Sequence, residues 1–218
     1  MATLTPELIA RECLSLLETH GPEALTFRRI GRHLGVDPTA LYRHFKNKDE
    51  LILAIGDLLM STAMDGYDPA DDWAESLRNL LHRSRAVYLA HPHAAVLATT
   101  RVTRREGEMA IVEAILQELH RAGFPPPEAA RLYRALDDMN LAFAGLDAAF
   151  RILSEEQQAK DVGAWSQEYA QADPGRYPRI AATAEHLADI GEDPTYELAL
   201  DLMLESIIRR APHPSRRS

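Results

Sequence analysis

Six basic side chains stand within 24 residues, from Leu25 to Lys48: Arg28, Arg29, Arg32, Arg43, Lys46 and Lys48. Asp37 is the only acid among them, so the stretch carries +5 in a chain of −9, and the remainder carries −14. A cationic island in an acidic protein suits polyphosphate, because neutralising backbone phosphates supplies most of the non-specific affinity of a protein for duplex DNA. Other chemistry is thinly represented. His91-Pro92-His93, with His82 or His120 nearby, could be read as metal ligands, but a pair of histidines without cysteine or paired carboxylates fits a solvated helix end, and no metal is assigned. Asp137 and Asp138 are adjacent carboxylates, and neighbours on a helix point about 100° apart, which prevents them from acting as one acid–base pair. HExxH, GxSxG and glycine-rich phosphate loops are missing, so no enzymatic activity and no cofactor are expected.

The basic residues are placed by two short helices. Thr26 can cap the first, and Phe27, Ile30 and Leu34 recur on one face, with Arg28 and Arg32 opposite and Arg29 on the flank. Gly35 suits the left-handed residue that ends a helix. Asp37 and Pro38 open the second, where Leu41 and Phe45 point inward. Thr39, Arg43 and Lys46 point outward, Ala40 and Tyr42 flank them, and His44 lies nearer the buried edge. Two helices around a glycine turn form a helix-turn-helix, whose second helix enters the major groove.

The segment from Thr26 through Leu51, with the pattern LT-x-x-x-I-x-x-x-LGV-x-x-x-x-LY-x-HF-x-x-K-x-x-L, resembles the DNA-binding domain of the tetracycline-repressor (TetR) family. The match runs without a gap over the N-terminal quarter of the chain. It implies that Thr26 and Lys48 contact phosphates, that Tyr42 and His44 contact the DNA backbone, and that Arg28, Thr39, Ala40 and Arg43 approach base edges or adjacent backbone. Ala40 can offer only an apolar contact, such as to a thymine methyl. Arg28 has the fork geometry for guanine O6 and N7. The resemblance further implies a homodimer held by two C-terminal helices, a roughly palindromic operator, and a small-molecule effector that alters the spacing of the two reading heads.

The rest of the chain reads as helices alone, giving an all-α protein: a three-helix unit over residues 1–50, a helical body over 51–211 for effector binding and dimerisation, and a disordered tail over 212–218. Thr5-Pro6-Glu7 starts a first helix carrying Cys13 inward. A fourth, from Asn47 to Met64, opens with an Asn47/Glu50 capping box and is long enough to link head and body. Further helices are expected from Asp71 to His91, capped by Asp71-Asp72, around Ala94–Thr100, from Glu106 to Arg121, from Glu128 to Leu153 and from Pro194 to Arg210. Between the last two, Glu155 to Asp193 is the least regular part, a flap with one helix around Tyr177–Ala188.

The final helix is apolar on nearly all sides. Leu200, Met203, Leu204, Ile207 and Ile208, with Leu146 and Phe150 on the helix before the flap, are therefore candidates for a four-helix interface between two chains, the alternative being burial within one chain. Trp73, Tyr88, Met109, Tyr133 and Phe143 could line a cavity between helices, and Asn140 could hydrogen-bond a ligand there or satisfy a neighbour in the bundle. No apolar run approaches the roughly 20 residues of a membrane span, and MATLTPELIARE has no secretory pattern. A cytoplasmic regulator of transcription, in its repressor form, is the expected function; an all-helical small-molecule binder that does not read DNA is the alternative.

Overall fold

The computed structural model describes residues 4–187 and 191–212, and within them every regular element is a helix. Five caps named from sequence are formed. Thr5 accepts from the Leu8 amide at 3.2 Å to start α1 (Pro6–His20), and Thr26 from the Arg29 amide at 3.3 Å to start α2 (Phe27–Leu34). Asp37 accepts from both the amide (2.8 Å) and the hydroxyl (2.6 Å) of Thr39 at the head of α3 (Pro38–Leu41). These donors hold its carboxyl below the usual range. Asn47 caps α4 (Lys48–Met64), and Asp72 caps α5 (Trp73–Ala90) through the amides of Ala74 and Glu75.

Two details differ from the expected pattern. The helix α3 is one α-turn long, and the coil continues to Phe45 through Ala40–Arg43 and Leu41–His44 bonds of the tighter kind, so the reading element is shorter and partly 3-10 in character. At α4 the reciprocal half of the capping box is displaced by one residue: the Glu50 carboxylate accepts from the Lys46 amide at 2.8 Å, not from that of Asn47.

Glycines set two close crossings. A methyl on Gly31 would sit 2.9 Å from the Val36 carbonyl oxygen and 3.2 Å from the Pro38 ring, so only glycine lets α2 and the start of α3 meet this closely. On Gly107, at the start of α7 (Glu106–Arg121), a methyl would collide with the Asp57 carbonyl and Ser61 of α4. Between α5 and α7 lies α6 (Pro92–Ala98), and beyond α7 run α8 (Pro126–Arg151), α9 (Glu155–Gln167), α10 (Pro178–Leu187) and α11 (Glu192–Arg210).

The central element is α4, which buries Leu51, Leu53, Ala54, Ile55, Leu59, Met60 and Ala63 and packs against α1, α5, α6 and α7. One continuous apolar cluster runs from Ile9 and Leu17 of α1 through Ile55 and Leu77 to Leu200 and Ile207 of α11. Head and body thus share a core. Within it Cys13 is fully buried, which pushes its thiol up to about 12 and leaves it inert at neutral pH.

The segment expected to be irregular is largely helical. Ser154 and Gln157 form a complete capping box, the Ser154 hydroxyl accepting from the Gln157 amide and the Gln157 carbonyl accepting from the Ser154 amide, and α9 follows. None of its residues is buried, and it packs on α10 and the short 3-10 turn at Tyr169–Gln171. Position 188 of the expected second helix, and 213–218 of the expected tail, lie outside the described residues.

Candidate nucleic-acid interface and the cavity behind it

Arg28, Arg32, Arg43 and Lys46 are all exposed on the helix-turn-helix, and Arg29 is half-buried. Among the described residues, none of these five makes an ion pair. Thr39 is exposed beside them, while Ala40 and His44 are half-buried at the flank. Tyr42 is 57% exposed and is held upright by Phe27, whose ring it meets edge-on at 4.4 Å between centroids. Lys48, at the first turn of α4, donates to the Pro22 carbonyl at 3.2 Å, which anchors the ammonium while leaving it exposed. The result is a cationic surface with an aromatic ring at its centre and a helix N-terminus at its edge, a set of donors suited to phosphate oxygens.

Among the described residues, the head is fastened to the body at two polar points. The Glu18 carboxylate of α1 accepts from the amides of His93 (3.3 Å) and Ala94 (2.9 Å), so a head residue caps α6. Asp49 in the first turn of α4 pairs with Arg101, three residues past α6, at 2.6 Å. Further along α4, Asp57 accepts from the Glu108 amide at 3.0 Å. His91 and His93 sit at this junction, and among the described residues no group of acids, histidines and cysteines has the arrangement of a metal site.

Beyond α6 a cavity of about 720 Å³ opens between its C-terminal end, the start of α7 and the outer side of α8. Apolar wall comes from Val96, Val102, Leu141 and Leu146, and polar groups from Thr99, Glu108, Tyr133 and Asp137. Burial raises the Asp137 carboxyl to about 6, against the opposing pull of the Tyr133 hydroxyl, which donates to it at 3.3 Å.

Of the six residues proposed from sequence for a ligand, Tyr133 alone lines this cavity. Tyr88 is buried against Met60, Met109 is 55% exposed, and Trp73 packs on the core. Asn140 is buried and accepts from the Tyr196 hydroxyl at 2.8 Å, and Phe143 packs edge-on against the same tyrosine. These two therefore serve the α8–α11 joint. Aromatic side chains mostly fill the core here, whereas the cavity is walled by threonines, valines, leucines and charged groups, with Tyr133 as its one aromatic among the described residues. A carboxylate one turn after a tyrosine, Asp137 after Tyr133, was the available signal.

The interface candidates divide in the same way. Leu200, Leu204 and Ile207 are buried within the chain, because the inner side of α11 packs on α5 and α8. Ile208 (49% exposed) and Leu146 (69%) face out, and Phe150 and Met203 are half-buried. Leu198 and Leu202, not singled out from sequence for this role, lie one turn apart at 60% and 58% exposure.

Comparison with known proteins places these features in a family. The sequence model described as "Bacterial regulatory proteins, tetR family" matches residues 9–55, and "Tetracyclin repressor-like, C-terminal domain" matches 66–210. The chain is 28% identical over 213 residues to the tetracycline repressor class A from transposon 1721 of Escherichia coli, covering 96% of this chain and 93% of that one. It is also 28% identical over 213 residues to the HTH-type transcriptional repressor Rv1353c of Mycobacterium tuberculosis, covering 93% and 80%. The Streptomyces coelicolor protein ActR, solved in complex with actinorhodin, superposes with a TM-score of 0.85 at 24% identity over 99% of this chain and all of that one, a likeness of fold.

Proposed function

This chain belongs to the TetR family of bacterial regulatory proteins, and from that premise we propose that it is a ligand-responsive repressor of transcription which binds a palindromic operator as a homodimer. The observation that carries the reading is the bare cationic face of α2 and α3, mounted on a head whose core and polar fastenings continue into helices bordering a cavity. Residues 1–50 form the reading head and 51–211 the sensing and pairing body. Arg28, Thr39, Ala40 and Arg43 face the bases or the adjacent backbone, and Thr26, Arg29, Tyr42, His44, Lys46 and Lys48 hold phosphates. Such a protein works where the chromosome is, in the cytoplasm, and among the described residues no helix is long and apolar enough to cross a membrane.

Pairing uses the outward sides of α11, where Leu198, Leu202 and Ile208 are exposed, and of α8, where exposed Leu146 stands at the rim of the cavity, so that the partner borders the cavity mouth without filling it. Two heads related by a twofold axis then read half-sites about 34–36 Å apart. An effector in the cavity touches the residues that follow α6, including Arg101, whose partner Asp49 is in the first turn of α4. By linkage, the effector loosens operator binding by the factor by which it prefers the DNA-incompetent arrangement.

Operator selection from random duplexes, followed by titration with salt, tests the proposal. Specific binding survives excess random DNA, and its affinity falls steeply with salt because each neutralised phosphate releases counterions. Binding that random DNA competes away completely would favour the small-molecule binder without a reading function.

A further inference from the structure

The charges around the cavity are unequally satisfied. Arg134 is committed to Asp138 at 2.8 Å, and Arg101 to Asp49 at 2.6 Å. Glu108 accepts from the Thr103 hydroxyl at 2.9 Å and from the Arg104 amide at 2.5 Å, at the hinge into α7. Asp137 is the exception. Its one hydrogen-bond donor is the neutral Tyr133 hydroxyl, no cation pairs with it among the described residues, and it is half-buried on the wall that also holds Val96, Leu141 and Leu146. The groups facing it are Tyr133, Arg134 and Asp138 on its own helix, Glu108 on α7 and Tyr88 on α5. The sole cation in that set, Arg134, is already shared with Asp138.

A carboxylate held in an apolar recess without a counterion is a poor site for an anion and a specific one for a cation that brings apolar surface with it. We propose that the effector of this cavity is an amphiphilic amine, a rigid apolar body bearing a protonated nitrogen set against Asp137. The inference rests on the cavity being the effector site, and it narrows that reading to one charge class. The volume of about 720 Å³ accommodates a polycyclic molecule, and among the described residues both cations of the walls, Arg101 and Arg134, are already paired with acids.

Three fluorescent probes of one shape and different charge test it on the full-length protein: pyrenemethylammonium, pyrenemethanol and pyreneacetate. The ammonium is expected to bind at least about tenfold more tightly than the alcohol, as a charge-assisted hydrogen bond in a recess provides, and the acetate more weakly than either. Asp137→Asn should abolish the difference between ammonium and alcohol without weakening the alcohol, and Asp137→Glu should retain it. Because burial keeps Asp137 protonated until about pH 6, binding of the ammonium should strengthen as pH rises from 5 to 7.5, while the alcohol stays level. Equal or tighter binding of the acetate, an ammonium preference that survives Asp137→Asn, or failure of all three to bind would overturn the proposal. Retention of operator DNA, measured on the same preparations, separates these outcomes from failure of the repressor reading, which predicts DNA binding whatever the probes do.

Discussion

The two ends of this molecule treat arginine in opposite ways. In the body, Arg85 is buried, held by Asp147 at 2.6 Å and Asp193 at 2.9 Å, with its guanidinium 4.3 Å over the Tyr196 ring. Burial would lower its pKa, but the two carboxylates outweigh that and raise it. Arg78 is held by Glu197 and Asp201, Arg83 by the carbonyls of Ala63 and Asp65, and Arg121 by Glu118 and the carbonyls of Ala70 and Asp71. In the head, Arg28, Arg32 and Arg43 are exposed and, among the described residues, make no ion pair. The four body arginines stabilise the joints between α5, α7 and α11 and their neighbours. Head arginines repel one another, which weakens the isolated fold slightly and readies it for phosphate.

Mutations can break this contrast or sharpen it. The largest effect is expected on the inner side of α11: Leu204→Arg places a charge where the side chain is 2% exposed, and should destabilise the fold by on the order of 4 kcal/mol or more, read by urea denaturation. On the outer side, Leu202→Arg should leave the fold intact and yield a monomer in sedimentation. A stable dimer from Leu202→Arg would remove that side of α11 from the interface. Next is Arg85→Ala, which strands Asp147 in the core and should cost about 3–5 kcal/mol. Its head counterpart, Arg28→Ala, should leave urea stability unchanged while costing about 1–3 kcal/mol of base discrimination at one position per half-site. A stability loss there equal to that of Arg85→Ala would end the distinction between the two ends.

Lys46→Gln should weaken all DNA sequences alike and reduce the slope of log affinity against log salt by about 0.9 per half-site. The smallest change is Asp49→Asn, which removes the Arg101 pair at an exposed site and should shift stability by about 1 kcal/mol at most. Its effect on effector-driven release should be larger than on folding, which fluorescence-detected operator binding can resolve.

Local chemistry made much of this legible in sequence. Thr5, Thr26, Asp37, Asn47 and Asp72 each announce a helix start by a side chain that bonds its own next turn, and each does so in the structure. The helix-turn-helix was readable because charge, glycine and cap fall at fixed offsets. What sequence did not resolve is direction. The apolar residues of α11 wrap the helix, and only the packing of α5 and α8 on one side decides that Leu200 and Leu204 are core while Leu198 and Leu202 are outside. The lining of this cavity was not legible for a related reason: a void is defined by what large side chains leave uncovered, and Val96 of α6, Glu108 of α7 and Asp137 of α8 come from separate helices with no shared local pattern. The helix α9 was overlooked because its residues bury nothing, so there was no apolar stripe to find.

The carboxylate of Glu18 has a consequence for how such proteins exchange parts. It belongs to the first helix of the reading end, yet it supplies the cap that α6 lacks from its own chain neighbours, since His91 makes no side-chain cap bond there. A chimera that imports a foreign reading end up to residue 50 without an acid at that place would start α6 with two bare amides. Recombination between relatives is therefore constrained at a position outside the cationic face of α2 and α3, and the seam for a working graft lies in the pairing of α1 with α6 as much as in α4.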